Sequence, residues 1–250
     1  MQSICAFLIF GDPEANPGIH TTSPWFDLAH MEDVGVTVAR LASQQHRRYI
    51  KTHTPIDGIP YFPDSVYLAV YRHPLDVHFS MRRHARNVAS GRLDEFHPKD
   101  AKCGFEVFLK GSIDGPEYDA PSLSGLIHHY KAFLSISDRP NVHVFHYEDL
   151  KRDLHAGISQ ISQALSINHP PELVDAIVQA ATFDNMKSKA STMAPGGGSG
   201  MLKSDSNFFD SASSNKWLDR LTQDEVDDYG TIVGQLLTPK ERRWLEFGSV

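Results

Sequence analysis

This sequence predicts an α/β fold with a mostly parallel central sheet flanked by helices, and three observations carry that expectation. Short runs at residues 49–52, 66–71 and 142–146 read as strands, the last two rich in Val, Tyr and Phe. Between and after them lie stretches whose apolar residues recur three and four apart, the helical period. Strands that alternate with helices form parallel sheets covered on their faces by those helices. No composition break or internal repeat divides the chain, so residues 1–250 are expected to form one domain.

The elements follow in order. The apolar run ICAFLIF, residues 4–10, is too short to span a bilayer and has no basic flank, so it is expected as a buried helix. Residues 11–30 carry Gly, Pro, Asn and Ser and read as a loop. A helix over 31–44 leads to the strand at 49–52. The strand at 66–71 follows the turn signal FPDS, and Pro74 suits the first turn of a helix over 75–89. Residues 91–121 hold scattered Gly, Pro and Asp and read as a second loop. A helix over 123–135 lines up Leu123, Leu126, Ile127, Tyr130 and Leu134. SDRPN introduces the strand at 142–146, and helices over 156–165, 171–181, 223–237 and 239–247 complete the set. Thr222 with Glu225, and Thr238 with Glu241, form two T-x-x-E capping boxes. Residues 191–216 include the glycine cluster at 196–200, which is either a linker or a mobile lid.

Composition narrows the function. A hydrophobic fraction of 40% supplies a substantial core, and a net charge of −7 argues against general nucleic-acid binding. No stretch approaches membrane-spanning length. The charge is uneven. No Lys or Arg precedes Arg40, after which Arg47, Arg48, Lys51, Arg72, Arg82, Arg83 and Arg86 face only Asp57, Asp64 and Asp76. That stretch is either an anion site or an ordinary solvated basic face. Cys5 and Cys103, the only cysteines, make neither a disulfide scaffold nor a thiolate zinc site, and a cytoplasmic protein is expected.

Candidate chemistry gathers after the strands. In KTHTP, Lys51 and His53 lie two apart at a strand end and project to one side if the strand persists. A neutral imidazole accepts a proton from a hydroxyl near pH 7, and a lysine stabilises charge on a leaving oxygen. Arg72 ends the next strand, and Ser80 lies about two turns into the following helix. Arg offers a planar fork to a phosphate and Ser one donor, while Asp76, Arg82, Arg83 and Arg86 fit helix-face salt bridges equally well. In HYEDLKRD, Tyr147 suits a purine face, and Glu148 and Asp149 favour the start of a short helix. Phe183 and Met186 in FDNMK lie three apart on a helix, a spacing equally suited to core packing. Zinc spacings, G-x-S-x-G, a complete G-x-x-x-x-G-K-[ST] and G-x-G-x-x-G are all missing, which removes support for hydrolase, P-loop ATPase and Rossmann dehydrogenase readings.

Taken together, SPWFD, KTHTP, VYRHPLDVHFS, FHYEDLKRD, FDNMK and the late FF…KW resemble, in order, the cytosolic-type sulfotransferase family. The resemblance implies the P-loop nucleotide-kinase-like sulfotransferase fold. It also implies transfer of a sulfuryl group from 3′-phosphoadenosine 5′-phosphosulfate (PAPS) to a hydroxyl or amine of a small acceptor, with no metal. His53 matches the catalytic base and Lys51 the lysine near the transferring group. Arg72 and Ser80 match the binders of the donor's 3′-phosphate. Tyr147 matches the residue at the adenine, and Phe183 with Met186 the adenine pocket. The acceptor pocket is expected from residues 11–30, 84–121 and 191–210, with Trp25, Phe26 and Phe96 either lining it or simply packing.

Two departures stand out. The family opens with a strand and a loop resembling PKSGTTW, whereas this sequence starts at MQSICAFLIFGDP, matching the helix after that loop. A chain lacking that strand would carry a gap in its sheet with unpaired backbone groups. The other departure is FFDSASSNKW against a family pattern close to F-F-R-K-G-x-x-G-x-W. Asp210 stands at the phosphate-binding Arg, Ser211 at the Lys, and Ala212 and Asn215 at the glycines. Either the loop is rearranged so that Lys203 or Lys216 substitutes, or donor affinity is reduced. The alternative function is a non-catalytic relative that binds nucleotide weakly or serves as an interaction scaffold.

Overall fold

The computed structural model describes residues 1–14, 18–27, 33–91, 98–111 and 122–249. Their elements run α1 (Gln2–Phe10), α2 (Ile19–Thr22), α3 (Val34–Ser43), β1 (Tyr67–Tyr71), α4 (Pro74–Asn87), α5 (Ala101–Lys110), α6 (Leu123–Leu134), β2 (Val142–His146) and α7 (Tyr147–Arg152). They continue α8 (Leu154–Ala164), α9 (Pro171–Ala180), α10 (Phe183–Ser188), α11 (Ala190–Met193), α12 (Gln223–Leu236) and α13 (Pro239–Phe247). Phe96 and the first two residues of the helix expected over 31–44 lie outside the described residues. The described chain gathers into two units, one of Met1–His53 with Asp153–Asp210, the other of Thr54–Arg152 with Ser211–Val250.

The first unit is helical. Ile4 to Leu8 of α1 are buried as expected, and Gly11 closes the helix at φ 62° with its N–H on the Phe7 carbonyl. A left-handed residue after a helix is usually glycine because it carries no Cβ penalty. Ile158, Ile161 and Ile177 of α8 and α9 are fully buried, and the His169 imidazole reaches the Leu8 carbonyl at 2.7 Å. The strand expected at 49–52 is reduced to one parallel bridge between Trp25 and Lys51. Phe26 N–H donates to the Lys51 carbonyl and Lys51 N–H to that of Pro24, each at 3.2 Å. Proline has no N–H, so the partner segment cannot extend the ladder through Pro24.

The glycine cluster at 196–200 folds back within this same unit, which rules out its reading as a linker between the two. Gly196, Gly198 and Gly200 all have φ between 67° and 79°. A Cβ on Gly197 would come within 2.7 Å of the Ser191 and Ala190 carbonyl oxygens, so only glycine fits there.

In the second unit β1 and β2 pair in parallel, with Tyr67 opposite Val142 and Tyr71 opposite His146. The core combines Ala69, Tyr71 and Val142 from the strands with Leu75, Phe105, Phe108, Ile127, Tyr130, Val233 and Leu245 from the helices. Truncating a fully buried side chain such as Leu75 to Ala would cost about 2–5 kcal/mol. Both capping boxes are formed: Thr222 with Glu225 starts α12 and Thr238 with Glu241 starts α13. Helix α5 lies in the expected loop at 91–121. Asp100 caps it by accepting from Cys103 N–H at 2.8 Å, and Phe105, Phe108 and Leu109 form its buried face. Arg82 is buried rather than part of a helix-face ion pair. Its guanidinium donates to the carbonyls of Lys99 and Asp100 and occupies the space a side chain on Gly104 would need.

Candidate active site

In the first unit, Lys51 and His53 meet on one indole. The Lys51 ammonium lies 3.7 Å from the centre of the Trp25 ring, and the His53 ring centre is 4.3 Å from it. The parallel bridge sets this arrangement by placing Trp25 beside Lys51. Asp27, two residues on, takes the Thr52 hydroxyl at 2.6 Å and the His53 N–H at 2.9 Å on the same carboxylate oxygen. Lys51 is half-buried and His53 exposed, with the imidazole packed against the Trp25 indole. Trp25 and Asp27 were legible only as part of SPWFD; their hold on the KTH segment was not.

Also in this unit, Phe183 and Met186 lie on α10 and are half-buried, unlike core residues. Phe183 meets Phe209 edge-on at 6.3 Å, and the Lys187 ammonium lies 5.5 Å from the Phe183 ring centre. Lys187 also donates to the Asp210 carbonyl at 3.3 Å.

The second unit concentrates charge where β1 and β2 end. Arg72 follows β1 and stacks its guanidinium 4.3 Å above the Tyr147 ring, which follows β2. The paired strand ends make this contact, since Tyr71 lies opposite His146. Burial pushes the Tyr147 hydroxyl above the ordinary tyrosine range, keeping it a neutral hydrogen-bonding group. Arg72 donates to Asp76 at 3.4 Å and to the Ser213 carbonyl at 2.6 Å, and Glu148 lies 4.0 Å from its Nε.

Asp76, 1% exposed, does more than pair with Arg72. Its two oxygens accept the N–H groups of Asn215 at 3.0 Å and Lys216 at 2.8 Å, which fixes the loop before Trp217. Ser214 donates to both Glu148 oxygens at 2.7 and 2.8 Å and accepts from Lys151 at 3.1 Å. Lys216 then reaches back to the Ser80 hydroxyl at 3.4 Å. Ala212 and Asn215, which stand where the resemblance expects glycines, adopt φ of 51° and 58°. Both therefore lie in the left-handed region that favours glycine.

Each strand end hands over to its helix through a neutral histidine. His73 Nδ1 accepts the Leu75 N–H at 3.2 Å, and burial drives its pKa down to about 4. His146 repeats the device, with Nδ1 accepting the Glu148 N–H at 3.2 Å and Nε2 donating to the Leu245 carbonyl at 3.0 Å. Burial lowers its pKa as well. An imidazolium has no acceptor nitrogen, so both turns require the uncharged ring.

Arg72, Ser80 and Tyr147 therefore share one cluster, while Lys51 with His53 share another and Phe183 with Met186 a helix. Among the described residues no group of three or more His, Cys, Asp or Glu could hold a metal ion, and no helix is long and apolar enough to cross a membrane.

Comparison with known proteins identifies the family. The family model of the sulfotransferase domain matches residues 2–239. A glycolipid sulfotransferase of Mycobacterium bovis is 30% identical, over 99% of this chain and 84% of that protein. A retinol dehydratase, solved with androsterone and the inactive cofactor PAP, shares the fold at a TM-score of 0.74 and 18% identity, over 95% of this chain and 76% of its own. A mouse sulfotransferase complexed with PAP does so at 0.71 and 20%, over 98% and 82%. With the family model spanning nearly the whole sequence, the chain belongs to the sulfotransferase family and is a transferase.

Proposed function

We propose that the protein moves a sulfuryl group from PAPS to a hydroxyl or amine of a small acceptor, a glycolipid being the first candidate. The observation that carries this reading is the Arg72 cluster. A guanidinium stacked on an aromatic ring, a serine hydroxyl and two lysines suit a nucleotide with a phosphate on its ribose. The resemblance of KTHTP, VYRHPLDVHFS and FHYEDLKRD supports it, as do the PAP-bound fold neighbours and the relative named for glycolipids.

In this reading His53 takes the proton from the acceptor oxygen as that oxygen forms its bond to sulfur. Lys51 places positive charge at the oxygen bridging sulfur and the 5′-phosphate, so the S–O bond breaks toward the nucleotide. The bond to the acceptor forms as the bond to the nucleotide breaks, and adenosine 3′,5′-bisphosphate (PAP) departs. Arg72 and Ser80 hold the 3′-phosphate. Tyr147, Phe183 and Met186 contact the adenine. Asp27 and Trp25 hold Lys51 and His53 in register, an arrangement worth more to rate than to stability.

The test is transfer of labelled sulfate from PAPS to a glycolipid and to a phenol. His53→Ala should lower kcat by about 10²–10⁴-fold with donor affinity kept. Full activity in that variant removes His53 as the base. PAP binding without transfer by the wild type to any hydroxyl or amine acceptor replaces the enzyme reading with the scaffold one.

A further inference from the structure

The resemblance puts the phosphate-binding arginine and lysine of the late loop at positions 210 and 211, yet this sequence has Asp210 and Ser211 there. Arg72 by itself does not supply the missing charge, because Asp76 and Glu148 sit at 3.4 and 4.0 Å from it. A dianionic phosphate arriving beside Arg72 thus meets two carboxylates, and further cations are needed to make the place attractive. Two are within the same cluster: Lys151 on Ser214 and Lys216 on Ser80. Of these, Lys216 is the one on the serine that faces the donor in the proposed reading.

We infer that Lys216 is the second cation for the 3′-phosphate of the nucleotide, and that it, rather than any residue at position 210 or 211, makes the protein select a 3′-phosphorylated nucleotide. The inference rests on the proposed function, specifically on the 3′-phosphate binding at Arg72 and Ser80. Its physical basis is placement. Asp76 grips the backbone N–H groups of Asn215 and Lys216, so the start of the lysine side chain is fixed by a buried carboxylate. From that anchor the ammonium arrives 3.4 Å from the Ser80 hydroxyl, on the helix that begins right after Arg72. A phosphate oxygen taking the Ser80 proton there also comes within reach of the ammonium and forms a charge-assisted bond. Because the anchor is backbone, replacing the side chain leaves the loop's hydrogen bonds to Asp76 in place.

The experiment is calorimetry of wild type, Lys216→Met, Lys216→Arg and Arg72→Ala with two probes, PAP and adenosine 5′-phosphate. Lys216→Met should weaken PAP by about 10- to 100-fold while leaving adenosine 5′-phosphate unchanged, and Lys216→Arg should restore most of the difference. Thermal unfolding of Lys216→Met should match wild type. If Lys216→Met binds PAP as wild type does while Arg72→Ala does not, the inference is wrong and the proposed function stands. Equal weakening toward both probes also overturns it, because a loop defect would act that way. A wild type that does not distinguish the two probes removes the 3′-phosphate site itself, and both readings go together.

Discussion

The Lys51 ammonium rests on the face of Trp25, 3.7 Å from the ring centre, with His53 packed on the same indole. A cation over an indole gains about 0.5–2 kcal/mol, the higher figure when desolvated. In the proposed transfer, where Lys51 and His53 act on the reacting atoms, Trp25→Ala should loosen both residues and lower kcat by about 10-fold or more, since small displacements are costly. Trp25→Phe keeps an aromatic face and should retain most of the activity. Steady-state rates at saturating donor check this, and an unchanged kcat in Trp25→Ala would show that the stacking has no part in catalysis.

Removing the Asp76 carboxylate should act on binding and stability together. Asp76→Ala strips partners from the Asn215 and Lys216 N–H groups and from Arg72. Leaving buried groups unpaired in this way costs about 3–5 kcal/mol. Asp76→Asn fills the same space but turns a donor toward N–H groups, so it should lose about half as much. Urea unfolding measures both. Destabilisation below about 1 kcal/mol for Asp76→Ala would show that the loop is held by other means.

Acid should unfold the second unit through His73 and His146. In the unfolded chain an imidazole binds its proton below about pH 6.5. Folded His73 resists until about pH 4, and His146 is displaced in the same direction, both by burial. Their contribution is thus complete above the unfolded value and drains away as pH falls toward the folded one. For His73 that amounts to about 3 kcal/mol. Stability measured between about pH 7.5 and about pH 4.5 should fall along this slope. His73→Asn, which caps the helix without titrating, should flatten it. An identical slope in wild type and variant would place the acid sensitivity elsewhere.

Position 212 carries a left-handed alanine, at φ 51°. An L-residue with a Cβ costs about 1–2 kcal/mol there, partly offset by the flexibility glycine adds to the unfolded chain. Ala212→Gly should raise stability by about 0.5–1 kcal/mol. Asn215→Gly, at φ 58°, should change little because asparagine tolerates this region. Melting temperatures of the two variants give the comparison, and a loss on Ala212→Gly would mean that the methyl group packs favourably.

Local signals made much of this fold readable. The capping boxes at Thr222 and Thr238, the proline opening α4 and the buried run of α1 each depend on residues a few positions apart. Helix α5 escaped because glycine, proline and aspartate crowd its borders, while its apolar face of Phe105, Phe108 and Leu109 spans barely one turn and a half. The run at 49–52 reads as a strand from its apolar residues, but the Tyr49 ring packs edge-on against His46 and its hydroxyl bonds Thr22, while the ladder is a single bridge. In the candidate site, Arg72 and Tyr147 were readable from the strands they follow. Asp76 was not, because the N–H groups it holds lie 139 and 140 residues downstream. No local pattern marks a carboxylate whose partners are so far along the chain.

The way the chain threads its two units bears on how it must be made. One unit is assembled from Met1–His53 and Asp153–Asp210, the other from Thr54–Arg152 and Ser211–Val250, so the polypeptide crosses over three times. Neither unit is complete when synthesis has passed only its first segment. The loop that meets Arg72, and the helices α12 and α13 that close the second core, leave the ribosome only after the second segment of the other unit. Until then Tyr71 and Tyr130, which pack on Trp244 of α13, lack part of their cover, and exposed apolar surface of this kind is prone to aggregation.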